Sequence, residues 1–273
     1  MNLSNLTTID KSILNAHRAW SITTLIAWLW HSERIYNYFS SFRSIRLESD
    51  FFPSILNNIP LASFAFIAAL CALAVSLIFP NKKVWFASAA VIMGACLYLA
   101  LGPFGFAWQF FTTTFWSCWF FLWLATRCEQ QDPRSMDAGI RMALMIVSLV
   151  FLGGAVGKWT ARYWSGEVFF HLLFLYQPDP KFAMLREALE PKELFGLATL
   201  YSRLAIIAET CLALVWLLPA KLGLIAALFA LLGMWLISPT GIIDAIGPLI
   251  GLLLGGLVLT RSPPRSDVGD EEE

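Results

Sequence analysis

A lysine, two carboxylates, an arginine and a histidine stand in this chain where apolar residues otherwise prevail. Lys158 ends the run Phe151-Leu-Gly-Gly-Ala-Val-Gly-Lys. Glu209 and Asp244 interrupt later hydrophobic stretches, Arg203 precedes Glu209, and His31 follows the apolar Ala19–Trp30. An ionisable side chain at the centre of a bilayer costs at least about 2.5–3.5 kcal/mol, so each of these groups needs a partner, water or a task. Arg203 and Glu209 are six residues apart, about 240° round a helix of roughly 3.6 residues per turn. They cannot share a face, so each is expected to pair with another helix. Lys158 with Glu209 or Asp244 is the simplest arrangement.

Lys158 has two readings. A desolvated lysine loses proton affinity and can act as a base or a nucleophile. A lysine at a helix end can equally snorkel to the headgroups or hold a bundle together through an ion pair. The same two readings, site or structural ion pair, stay open for Glu209 and Asp244. Of the three histidines, His31 and His171 read as interfacial, and His17 precedes the first span and carries little signal. No ligand spacing links them, and the five cysteines lack a CxxC, so no metal centre is expected. Aromatics crowd the run Trp108–Trp123. They read as packing or lipid-facing surface, with a flat hydrophobic ligand as the sharper alternative.

The elements that must position these groups follow from composition. Hydrophobic residues make up 58% of the chain and charged residues 14%, against about 25% charged in a soluble domain. The surplus apolar surface must face lipid, and the expectation is an all-α polytopic transmembrane bundle. The net formal charge is zero, which leaves no electrostatic footprint for nucleic acid. Eight spans are predicted: 19–30, 61–80, 84–101, 104–125, 138–158, 197–218, 222–238 and 242–259, with prolines at several of the joints. The first is the weakest and crosses only if its polar face looks into the bundle. Residues 1–18 read as an interfacial segment, 19–260 as one transmembrane domain, and the acidic, proline-bearing 261–273 as a disordered tail. No cleavable signal peptide is visible. Lysine and arginine concentrate in one set of loops, which puts both termini in the cytoplasm and loops 32–60 and 159–195 outside.

Glycines add a packing expectation. Gly153 and Gly157 form a GxxxG, as do Gly247, Gly251 and Gly255. Small residues at this spacing admit close backbone approach, so spans five and eight are predicted to pack together and bring Lys158 near Asp244.

Gly157-Lys158, followed by Tyr163-Trp164 and Gly166, is similar to the signature of the HTTM domain. That domain is found in vitamin K-dependent gamma-carboxylases and in stand-alone bacterial membrane proteins. Residues 139–260 also resemble the DoxX/MauE-type membrane proteins, whose glycine-lysine pair and following glutamate are matched here by Lys158 and Glu209. The resemblance implies a catalytic role for Lys158, with Glu209 beside it, toward a quinone-like lipid. Arg203, Asp244, Trp164 and His31 would line the ligand site in an outward-facing pocket, and the setting would be a bacterial inner membrane. Two departures argue against carboxylation itself: span four carries Thr112-Thr-Thr-Phe-Trp-Ser-Cys in place of the expected Asn/His motif, and the chain given has no large lumenal domain. Two other classes stand beside this reading. One is an accessory subunit of a larger membrane complex, which would have other membrane proteins as well as the bilayer as partners. The other is a small-solute transporter, for which no inverted repeat is evident.

Overall fold

Apolar residues at helical spacing, broken by prolines and capped by asparagines, produce a chain that is helical throughout its described residues. The computed structural model describes residues 8–30, 32–33, 35–37, 55–56, 58–79, 81–102, 108–128, 134–176, 180–238 and 246–260. Eight of its helices have 14 or more residues: α1 Thr8–Trp30, α2 Ile59–Ile78, α3 Lys82–Leu101, α4 Trp108–Cys128, α5 Arg134–Lys158, α9 Pro191–Ala213, α10 Ala220–Ile237 and α11 Ile246–Leu259. Short helices α6 Ala161–Trp164, α7 Glu167–Phe169 (running into a π-turn, Phe170–Leu175) and α8 Pro180–Ala188 fill the segment between α5 and α9. α2, α3, α5, α9 and α10 are each long and apolar enough to cross a membrane, which is the architecture of an integral membrane protein.

Local chemistry sets several helix starts. Asn58 accepts from the Leu61 amide at 3.0 Å and Asn81 from that of Lys83 at 2.9 Å, so the side chains satisfy amides that the first turns of α2 and α3 leave free. Glu190 and Glu193 form a reciprocal capping box at the start of α9, with Pro191 at the position that needs no amide hydrogen.

α1 and α4 are long but too polar to be among the five, and the structure shows where that polarity goes. His17, Ser21 and Thr24 of α1 and Thr113, Thr114 and Ser117 of α4 are all buried. The Trp28 indole N–H donates to Thr114 Oγ1 at 3.3 Å, tying the two polar faces together. α1 runs unbroken from Thr8 to Trp30, and Ile13 and Ala16 lie in the main core. The described part of the segment expected before residue 18 is thus continuous with the helix that follows, and its Ile13, Ala16 and His17 pack into the bundle.

The glycine expectation also needs correcting. Cβ atoms added at Gly247, Gly251 and Gly255 would meet Ala27, Thr23 with Trp20, and Phe121 with the Ala16 carbonyl, respectively. The stripe on α11 thus packs chiefly on α1, with Phe121 of α4 closing its far end. At Gly153 and Gly157 an added Cβ meets no described atom within 4 Å. These two glycines lie on the outward face of α5, and it is Gly154, one residue or about 100° round, that turns inward. α5 does touch α11, but its main neighbour is α9. That interface holds the Lys158–Glu209 pair and the Ser148 hydroxyl on the Leu212 carbonyl.

Candidate functional site

α5 delivers Lys158 at its last residue, and α9 presents Glu209 on its buried side. Lys158 Nζ lies 2.5 Å from Glu209 Oε1 and 2.6 Å from Oε2, so the ammonium straddles both carboxylate oxygens. The side chains are 22% and 9% exposed respectively. A Cβ at Gly154 would lie 3.0 Å from Glu209 Oε2, so the absence of a side chain one turn before the lysine makes room for the carboxylate. Coulomb attraction and two charge-assisted hydrogen bonds offset the desolvation of both charges, which neither could bear alone.

The next residue repeats the register. The Trp159 indole N–H donates to Thr210 Oγ1 at 2.9 Å, so consecutive residues 158 and 159 bond consecutive residues 209 and 210. The chain then stays fastened to α9 for most of two turns. Ser202 Oγ donates to the Tyr163 carbonyl, Arg203 Nε to that of Trp164 at 3.3 Å, and Thr199 Oγ1 to that of Ser165 at 2.9 Å. Three successive carbonyls at the end of α6 thus receive donors from three residues of α9. The fastening ends at Gly166, whose φ of 83° lies in the left-handed region. A Cβ there would lie 2.5 Å from Thr199 Cα, so glycine is required both by conformation and by space.

The outer side of this hairpin is aromatic. Trp159 and Trp164 stack at 5.3 Å with planes 18° apart, and the Arg203 guanidinium lies 5.6 Å from the Trp164 ring centroid. Arg203, Trp164 and Trp159 therefore form a column running along α9 toward Thr210. Beyond it, Phe169, Leu173, Phe174, Phe182, Leu194 and Ala198 form a second, smaller core that braces the loop. Arg162 and Glu167 pair at 3.2 Å on the exposed side.

Of the residues expected at a site, Lys158, Glu209, Trp164 and Arg203 come together at the junction of α5, α6 and α9. Glu209 faces inward and Arg203 outward, on different faces as their spacing requires. His31 and Asp244 lie outside the described residues. Gly247 and Gly251 pack α11 on α1, Gly153 and Gly157 face open space, and none of the four lines the pair. Trp159, Thr210, Ser202, Thr199 and Gly154 were not anticipated. Only Gly154 had a sequence signal, since it sits four residues before Lys158 and shares its face; the others depend on a register between helices that no local pattern encodes.

His17, read as lying ahead of the first span, is buried in α1. Its ring centroid is 3.7 Å from that of Trp85 and 5.6 Å from those of Trp20 and Phe121. A cleft beside it, lined also by Ser76 and Cys118, encloses about 10 Å³, room for about one water molecule. Among the described residues there is no cluster of histidine, cysteine and carboxylates able to hold a metal. Comparison with protein-family models, with curated proteins and with solved structures gives no match for this chain.

Proposed function

We propose that this chain is a polytopic membrane protein of HTTM/DoxX-like type that binds an isoprenoid quinone or a similar lipid at the Lys158–Glu209 pair and serves a redox or modification system. The observation that carries this reading is the state of the lysine. An ammonium has three N–H donors; two are directed at Glu209, and the third has no partner among the described residues. Lys158 remains about one-fifth exposed, and the residue after it, Trp159, stacks on Trp164. A ring bearing a carbonyl oxygen suits that setting: the oxygen accepts the remaining N–H, and the ring lies against indole. Eight membrane crossings with both termini cytoplasmic complete the proposal, and the cytoplasmic membrane of a bacterium is its setting. The burial of α1's polar residues supports counting that helix as a crossing.

The test is solvent extraction and mass spectrometry of the purified protein, comparing wild type with Lys158→Met and Lys158→Arg. A co-purifying quinone lost from the Met variant, with an unchanged gel-filtration profile, is expected. A folded Lys158→Met protein that retains the same lipid would overturn the reading.

One observation favours a second function, an accessory subunit in which the pair is a clamp. Both carboxylate oxygens are engaged by one ammonium, and the hairpin 158–166 is fastened to α9 independently of any ligand. A stable partner that co-purifies with wild type and with Lys158→Met alike, and no bound quinone, would select it.

A further inference from the structure

We infer that Arg203 is the headgroup anchor of a bound phospholipid, gripping its phosphate diester at the lipid-facing surface of α9. The residues around it set the problem. Leu200, Leu204 and Ile207 share the outward face of α9 with Arg203 and are 55%, 50% and 48% exposed. This helix is one of the five apolar enough to cross a membrane, so that stripe meets acyl chains. A guanidinium set in such a stripe needs an anion.

Among the described residues the protein supplies none. Glu209 faces the other side of α9 and is occupied by Lys158, and Glu167 is occupied by Arg162. What the protein does supply is orientation. Nε donates to the Trp164 carbonyl, and the Trp164 ring covers the guanidinium plane at 5.6 Å. With Nε and one face held, the two terminal nitrogens remain without an acceptor among the described residues. A planar fork held in this way matches two phosphate oxygens at once.

Depth and direction fit a lipid. Exposed tryptophans concentrate at the headgroup level of membranes, and Trp159 and Trp164 are both exposed beside the arginine. Leu204 and Ile207 continue from Arg203 toward the C-terminal end of α9 and the middle of the apolar run 197–218, the path that acyl chains attached to the same phosphate would follow. The two readings share the Trp159–Trp164 stack but rest on different charged groups, Lys158 for the quinone and Arg203 for the phosphate, so each can fail without the other.

The test uses full-length protein in detergent with three probes: phosphatidylglycerol, diacylglycerol with the same acyl chains, and inorganic phosphate. By native mass spectrometry, wild type is expected to retain phosphatidylglycerol and not diacylglycerol, and millimolar inorganic phosphate should not displace the lipid. Arg203→Met should weaken retention roughly tenfold or more, while Gly157→Ala, which faces open space, leaves it unchanged. A photoactivatable phosphatidylglycerol on wild-type protein gives a readout independent of any variant, with adducts expected in the peptide spanning 197–207. Equal retention of diacylglycerol, full binding by Arg203→Met, adducts elsewhere on the surface, or displacement by free phosphate would each overturn the assignment.

Discussion

A lysine and a glutamate buried against each other are useful only as a pair, and removing either exposes what the other costs. Lys158→Met leaves a carboxylate that is 9% exposed with no cation, and Glu209→Gln leaves the ammonium without its counter-ion. Each change is expected to destabilise the folded protein by on the order of 3–5 kcal/mol, the usual penalty for breaking a buried pair from one side. The double variant Lys158→Met/Glu209→Leu should lose much less than the two added together. Thermal midpoints of the detergent-solubilised protein, read as a double-mutant cycle, check this. Additive losses would mean that the two charges do not depend on each other. The pairing of these residues was one of two arrangements open from their types alone. The choice of Glu209 over Asp244 was not legible, because it depends on which helix lies beside α5. The spacing of six residues put Arg203 and Glu209 on different faces without deciding which of them faced outward, and the partner it implied for Arg203 on another helix is the Trp164 carbonyl and ring.

Among the helices, glycines separate sites where space is required from sites where it is idle. Gly251 lies under Thr23 and Trp20, and an added Cβ would come within 2.1 Å of Thr23 Oγ1. Gly251→Ala is therefore expected to cost about 1–3 kcal/mol by overpacking α1 against α11. Gly157→Ala, facing open space, should be neutral or stabilising by up to ~1 kcal/mol through helix propensity alone. Gly166→Ala combines a left-handed backbone with a clash against Thr199, and should cost at least about 1–3 kcal/mol. It should also increase proteolysis of the 159–176 segment. Chemical unfolding of the three variants side by side checks the order; a Gly157→Ala protein less stable than Gly251→Ala would contradict it. The GxxxG spacing identified glycines that can admit a neighbour but not which neighbour. In α11 the partner is a helix with small and hydroxyl side chains at matching intervals, Ala16, Thr23 and Ala27. That complementarity was present in the sequence, although the polar residues around it disguised α1 as a weak span. Hydropathy averaged along a helix discards the distinction between a polar face turned outward and one turned inward.

For the molecule as a whole, the proposed arrangement places alternate helix ends on opposite sides of the bilayer. In a variant with its natural cysteines replaced, single cysteines at Arg162 and Glu190 should react with a membrane-impermeant maleimide in intact cells. Cysteines at Asn81 and Pro219 should react only after permeabilisation. Labelling of Asn81 from outside, together with Arg162, would rule out the eight-crossing count. Each of the eight apolar runs has a helix over most of its described residues, and five of those helices are long and apolar enough to cross a membrane, because apolar composition and the 3.6-residue period both leave their mark locally. The small aromatic core of Phe169, Phe174 and Phe182 left no comparable mark, since it is assembled from three short segments that meet only after α9 is in place.

The close seating of α11 on α1 also has a consequence for how the protein is made. α1 is synthesised well ahead of the surface that receives its Trp20, Thr23 and Ala27, which starts at residue 247. Until then its buried hydroxyls and His17 can be sheltered only in part, by α2 and α4. From α1 to α11 the nascent chain therefore carries an incomplete bundle, with the polar face of α1 waiting for its partner. Membrane chaperones and quality-control proteases would meet this protein through α1, and a chain stopped short of α11 would be recognised there.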